Sequence, residues 1–152
     1  MLNIDKQRRI VISCQWKHAS LFSEGTAKVR DVNGLYGYID KTGRVVIPCQ
    51  WKSVGFFREG LAAVQNVDDK YGYIDNLKNV VIPYNWKYAF EFRYGRAMVK
   101  DSSGKYGFID NTGKEVIPCR WKFAWDFKGD WTMVEDENEK WWKIDKNGNM
   151  IK

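Results

Sequence analysis

The stretch YGYIDKTGRVVIP, Tyr36 to Pro48, carries two short runs of alternating apolar residues around the tetrad Asp40-Lys41-Thr42-Gly43. Alternation of period two marks a strand with one buried side. An Asp that can accept backbone hydrogen bonds, followed three places later by a Gly free to take positive φ, marks the tight turn between two such strands. The stretch is therefore a β-hairpin with a three-residue, bulged turn. The chain writes it again as YGYIDNLKNVVIP from Tyr71 and YGFIDNTGKEVIP from Tyr106.

The repetition covers all 152 residues. Ile4-Asp5 recurs as Ile39-Asp40, Ile74-Asp75, Ile109-Asp110 and Ile144-Asp145, at steps of 35 residues. Trp16-Lys17 recurs as Trp51-Lys52, Trp86-Lys87 and Trp121-Lys122, and Phe22, Phe57, Phe92 and Phe127 form a further column. Several independent columns in one register establish a tandem repeat. Residues 1–152 are read as one repeat domain: an N-terminal partial unit and cap, 1–25; full units 26–60, 61–95 and 96–130; and a truncated unit, 131–152.

Each unit reads as three short antiparallel strands, exemplified by Leu61–Gln65, Tyr71–Asp75 and Asn79–Pro83. Period two places Ala62 and Val64 inward and turns Ala63 outward. In the third strand Val11, Val46, Val81, Val116 and Ile151 are expected to point inward. Trp51, Val54 and Phe57 stand three apart, a spacing that suits one 3₁₀-like turn aimed at the core. Lys78 and Arg8 replace the turn glycine and are expected to strain their hairpins by ~1 kcal/mol.

The pattern small-x-Val, then Lys-aromatic-Gly-aromatic-Ile-Asp, then Val-Ile-Pro and Phe-x-x-Gly resembles the WG (or KWG) β-repeat of bacterial proteins. Ala62, Val64, Lys70 through Asp75, Val81 through Pro83, Phe57 and Gly60 carry the match, which extends over the whole chain. Tyr36, Tyr71 and Tyr106 stand where that family usually has tryptophan. The resemblance implies a repeat fold and no particular reaction.

The ends bear on closure. Gly37, Gly72 and Gly107 give way to Leu2 and Trp142 in the terminal copies, Pro48, Pro83 and Pro118 to Ser13 at the start, and Gly25, Gly60 and Gly95 to Asp130 at the end. If those first glycines admit the backbone of a neighbouring unit, the terminal copies lack that neighbour. Atypical end copies suit an open array. The expectation is an all-β, open and twisted array; a closed ring or propeller-like form is the alternative.

Chemistry is harder to find. The Asp column is explained by its turns. His18 is the sole histidine, and Cys14, Cys49 and Cys119 form no close pair. Neither a zinc set nor an activated nucleophile results, and no nucleotide fingerprint occurs. The reading is a non-catalytic module for protein interaction or structural spacing, with no cofactor and no metal. The charged N-terminus and the lack of a long apolar run argue for the cytoplasm and against membrane insertion.

Two surfaces remain. His18, Ser53, Tyr88, Phe123 and their neighbours Ser20, Gly55, Phe90, Trp125 become aromatic toward the C-terminal half, on an otherwise constant framework. Tyr88, Phe90, Tyr94, Phe123, Trp125 and Trp131 are thus the candidate contact residues for a protein partner or a second copy. Lys17, Lys52, Lys87 and Lys122, with a formal net charge of +6, offer the alternative of single-stranded nucleic acid or another polyanion.

Overall fold

The computed structural model describes residues 16–152 together with the backbone of two short strands, β1 (Asn3–Ile4) and β2 (Ile10–Ile12), which pair antiparallel. Leu2, Asp5, Arg8, Ser13 and Cys14 lie outside the described residues, as does the side chain of Val11.

The remaining strands form four consecutive antiparallel meanders. The first is β3 (His18–Ala19), β4 (Thr26–Arg30), β5 (Tyr36–Asp40) and β6 (Val45–Trp51). The second is β7 (Ser53–Val54), β8 (Leu61–Gln65), β9 (Tyr71–Asp75) and β10 (Val80–Trp86). β11 (Tyr88–Arg93), β12 (Arg96–Lys100), β13 (Tyr106–Ile109) and β14 (Glu115–Trp121) make the third. β15 (Phe123–Ala124), β16 (Trp131–Glu135) and β17 (Trp141–Asp145) make the last. Strand order in every sheet follows the chain. The described residues contain no helix.

The three strands read from the sequence are present, and a short fourth joins them. The segment expected to be a 3₁₀ turn is extended: Ser53 pairs with Gln65 and Val54 with Val64. Trp51, Val54 and Phe57 are nonetheless all core residues. A bulge accounts for the step from Val54 to Phe57, and the passage from β6 to β7 for that from Trp51 to Val54. In the third sheet Ala89 faces Val99 and Phe92 faces Ala97, so that two residues stand opposite one, and the extra residue returns a side chain to the same face.

A second bulge corrects the phase of the third strand. Val80 pairs with Ile74 and Ile82 with Tyr73, so Val81 is the inserted residue. The inward positions are consequently Ile47, Ile82 and Ile117, while Val46 and Val81 are 41% and 38% exposed. Val116 is half-buried, and Ile151 lies beyond the last strand with 39% exposure.

The sheets stack face to face, so both faces of an inner sheet are covered. Tyr38, Ile47 and Trp51 of the first sheet pack against Val54, Phe57, Ala62, Val64 and Ile74 at the second. The opposite face of the second sheet, with Ala63, Tyr73 and Ile82, meets Ala89, Phe92, Ala97, Val99 and Ile109. Ala63 is therefore buried (5%), not outward, and Met98 occupies the same place one interface on. Each interface repeats one aromatic contact, Tyr38 on Phe57, Tyr73 on Phe92 and Phe108 on Phe127, with centroids 4.8, 5.0 and 4.9 Å apart. The tyrosines add a hydrogen bond across the interface: Tyr38 Oη donates to the Gly55 carbonyl (2.7 Å) and Tyr73 Oη to that of Phe90 (2.6 Å).

Gly37, Gly72 and Gly107 do admit a backbone, but it belongs to their own unit. A Cβ on Gly72 would stand 2.5 Å from the Ile82 carbonyl oxygen and 3.0 Å from the carbonyl carbon of Pro83. Tyr73 and Tyr71 face Ile82 and Trp86, so the third strand bows inward around its proline. Trp142 takes the glycine position where no such strand follows; only a bridge between Ile144 and Met150 continues there.

Neighbouring units are also clipped through their turns. The Glu24 and Glu59 carboxylates accept from the N–H groups of Gly60 and Gly95, at 3.0 and 2.9 Å. Among the described residues no backbone ladder joins the first sheet to the last, and the array is open. Among the described residues no helix is long and apolar enough to cross a membrane.

Candidate interaction surface

The regular Asp column is turn chemistry. Asp40 Oδ1 accepts from the N–H of Thr42 (2.9 Å) and of Arg44 (3.1 Å), and Asp75, Asp110 and Asp145 repeat the pattern. A second column, Asp31, Asn66, Asp101 and Asp136, does the same at the preceding hairpin. Asn66 shows that the oxygen, and not the charge, is what the turn requires. Lys78 holds the left-handed backbone expected of it, at φ 70°.

Cys49 and Cys119 are free and half-buried, each in the last strand of its sheet. Burial pushes the Cys119 thiol up to about 12, assisted by the Glu115 carboxylate. A thiol so held is a poor nucleophile. Tyr84 fills the same column and accepts from the Trp51 indole N–H at 3.0 Å, whereas the indoles of Trp86 and Trp121 are buried without a partner. His18 is exposed. Among the described residues no three His, Cys, Asp or Glu side chains gather where they could hold a metal ion. The arrangement is consistent with a non-catalytic repeat module.

What the strands do bring together is a line of rings. Tyr88 opens β11, Phe123 opens β15, and Phe90 and Trp125 stand two residues further on. Tyr71, Tyr106 and Trp141 open β9, β13 and β17 beside them. Consecutive centroids lie 4.8 Å apart for Tyr71–Tyr88, 4.7 Å for Tyr88–Phe90, 6.3 Å for Phe90–Tyr106 and 5.3 Å for Tyr106–Phe123. Trp141 continues the line, 6.1 Å from Phe123 and 5.4 Å from Trp125. Tyr88, Phe123, Trp125 and Trp141 are 44, 42, 56 and 38% exposed. The ribbon thus crosses three units along one end of the stacked sheets.

Tyr94 and Trp131 stand apart from it. Tyr94 occupies the turn after β11 in the left-handed region, among Glu24, Arg58, Glu59 and Arg93. Trp131 and Trp141 lie at opposite ends of the last hairpin, since Trp131 faces Asp145 and Trp141 faces Glu135. The Lys143 amine sits 4.4 Å from the Trp131 ring. Tyr71, Tyr106 and Trp141 were hidden from sequence reasoning because their column looks like invariant framework.

The lysine column runs along the same end. Trp51, Trp86 and Trp121 beside it are buried, so they offer no stacking faces. Lys52 pairs with Asp69 and Lys122 with Glu139. Lys87 instead lines a groove of about 260 Å³ with Tyr88, Phe90, Lys100 and Tyr106. The Lys100 amine lies 4.8 Å from the Tyr106 ring centroid.

A family model described as WG containing repeat matches residues 4–36, 36–71, 71–105 and 106–141. No curated protein matches the chain. Among solved structures, the computationally designed Ika8 protein is similar at 10% identity and a TM-score of 0.58, over 89% of this chain and 48% of that one. The computationally designed Ika4 protein is similar at 9% identity and a TM-score of 0.55, over 90% of this chain and 98% of that one. The chain thus spans about half the length of the first and nearly all of the second. At such identities the likeness concerns the fold alone.

Proposed function

Because the chain belongs to the family of WG-containing repeats, we propose that it is a non-catalytic interaction module whose aromatic ribbon docks an extended segment of a protein partner. One observation carries this reading: the unbroken line of ring contacts that starts at the buried Tyr71 and runs to Trp125, partly open to solvent in the third and fourth sheets. Large exposed aromatic patches are uncommon on monomeric proteins that bind nothing, and aromatic anchors dominate protein interfaces. The two half-buried free cysteines fit a reducing compartment, which supports placing the module in the cytoplasm.

The polyanion alternative is weaker. A lysine stripe binds phosphates only where its charges are unspent, and Asp69 and Glu139 neutralise two of its members. A pull-down from the source cell separates the readings. Wild type should retain partners through a high-salt wash, and the Phe90→Ala/Trp125→Ala double variant should lose them. Retention of the same partners by the double variant would overturn the assignment. Recovery of nuclease-sensitive, salt-labile material would favour the lysines.

A further inference from the structure

The third sheet differs from its neighbours at two positions along the ribbon. Opposite the lysine that follows each tryptophan, the second unit has Asp69 and the fourth Glu139, each ion-paired with that lysine. The third has Gly104, over which the Lys87 amine lies; a Cβ there would meet it at 4.0 Å. At the end of the first long strand the second unit has Gln65 and the fourth Glu135, while the third has Lys100. Neither Lys87 nor Lys100 has a carboxylate within ion-pair distance among the described residues.

These changes coincide with the rings. The first unit has the cations, Lys17 and Arg30, but His18 and Ser20 in place of aromatics. The fourth has Phe123 and Trp125, but its Lys122 is spent on Glu139. Only the third combines two uncompensated amines with Tyr88, Phe90 and Tyr106 around one groove. Asp101, which follows Lys100, is turned into its turn, where it accepts from Ser103 N–H, Ser103 Oγ and Lys105 N–H, and Glu91 is paired with Arg58 and Arg93. The Lys105 amine is taken by Glu137.

We propose that this groove selects an acidic side chain, an Asp or Glu of the partner segment, seated between the Lys87 and Lys100 amines with its stem and its apolar neighbours on Tyr88, Phe90 and Tyr106. The inference rests on the ribbon being the docking surface. It disfavours a run of negative charge, because in either direction along the ribbon the next lysine of the column is already paired, Lys52 with Asp69 and Lys122 with Glu139, and leaves no free amine for a second anion. The complementary segment carries one anion at its centre.

The test uses a phage-displayed library of random peptides, selected against the full chain and two double variants. Wild type should enrich peptides with a single Asp or Glu beside aromatic or aliphatic residues. Lys87→Glu/Lys100→Glu should enrich basic residues instead and bind the wild-type peptides about tenfold more weakly. Lys87 is exposed and Lys100 only half-buried, so that variant should melt as wild type does. If it enriches the same acidic peptides, the inference falls and the ribbon reading stands. If Phe90→Ala/Trp125→Ala enriches the wild-type peptides unchanged, the ribbon reading falls and takes the inference with it. Displacement of a selected peptide by a fluorescent oligothymidylate at lower concentration would also overturn the proposal, in favour of a nucleic acid ligand.

Discussion

Gly72, in β9, and Gly55, just past β7, belong to one sheet with β8 between them and make opposite demands. A Cβ on Gly72 collides with backbone of the bowed third strand at 2.5 Å, whereas one on Gly55 meets only ordinary contacts, the nearest at 3.5 Å. Backbone cannot move aside as a flexible side chain can. Gly72→Ala should therefore cost about 1–3 kcal/mol of stability by urea unfolding, and Gly55→Ala should leave the midpoint nearly unchanged. Equal effects would mean that the glycine serves something other than this close approach. At this scale the sequence was partly legible. It showed that Gly37, Gly72 and Gly107 matter and that the terminal copies lack them. It assigned the approaching backbone to a neighbouring unit, because nothing in a row of letters reveals that the proline eleven residues downstream bends its strand back.

Strands and their turns were legible wherever one face or one hydrogen-bonding residue decides, and illegible where a bulge resets the count. Two inserted residues moved the buried position from Val46 to Ile47 and made a three-residue spacing from extended chain. Both effects cross the period-two rule without leaving a compositional mark. The aromatic column itself was legible, and its members are not equivalent. Phe57 is 2% exposed against Tyr38, whereas Phe22 is 36% exposed. Phe57→Ala should cost about 3–5 kcal/mol as a buried aromatic truncation, and Phe22→Ala distinctly less, both read from denaturant midpoints. The turns make a prediction in acid. The Thr42 and Thr112 hydroxyls, then backbone N–H groups, hold the Asp40 and Asp110 carboxyls below the ordinary value of 3.8. A carboxyl depressed in the folded state stabilises above its unfolded pKa, and that stability is lost as pH falls through the folded value. Asn66 occupies an equivalent turn without titrating. Asp40→Asn/Asp110→Asn should therefore keep near-neutral stability while blunting its decline below about pH 4. An unchanged acid limb in a titrated unfolding series would show that these caps carry no linkage.

Taken whole, the molecule was readable as an open β array, because an unbroken 35-residue register leaves few other folds. The surface was read less completely. Aromatic drift exposed Tyr88, Phe90, Phe123 and Trp125, but the rings that join them into a line belong to an unvarying column. The Lys87 groove arises from Gly104, which by itself reads as an ordinary turn residue. The outer strands β6, β10 and β14 each expose a proline, Pro48, Pro83 or Pro118, and a proline offers no N–H to an arriving strand. Lateral aggregation is thereby discouraged, and cohesion is left to the faces. Because each sheet is held chiefly by the sheets directly before and after it, tension applied to the chain ends has no shared barrier to overcome. In a single-molecule stretching record the units should yield one after another, each releasing about 120 Å of contour for its 35 residues. A single abrupt extension would contradict this. Under load the molecule should behave as a series of separate fuses, so that the loss of one unit leaves the remaining binding surface in place.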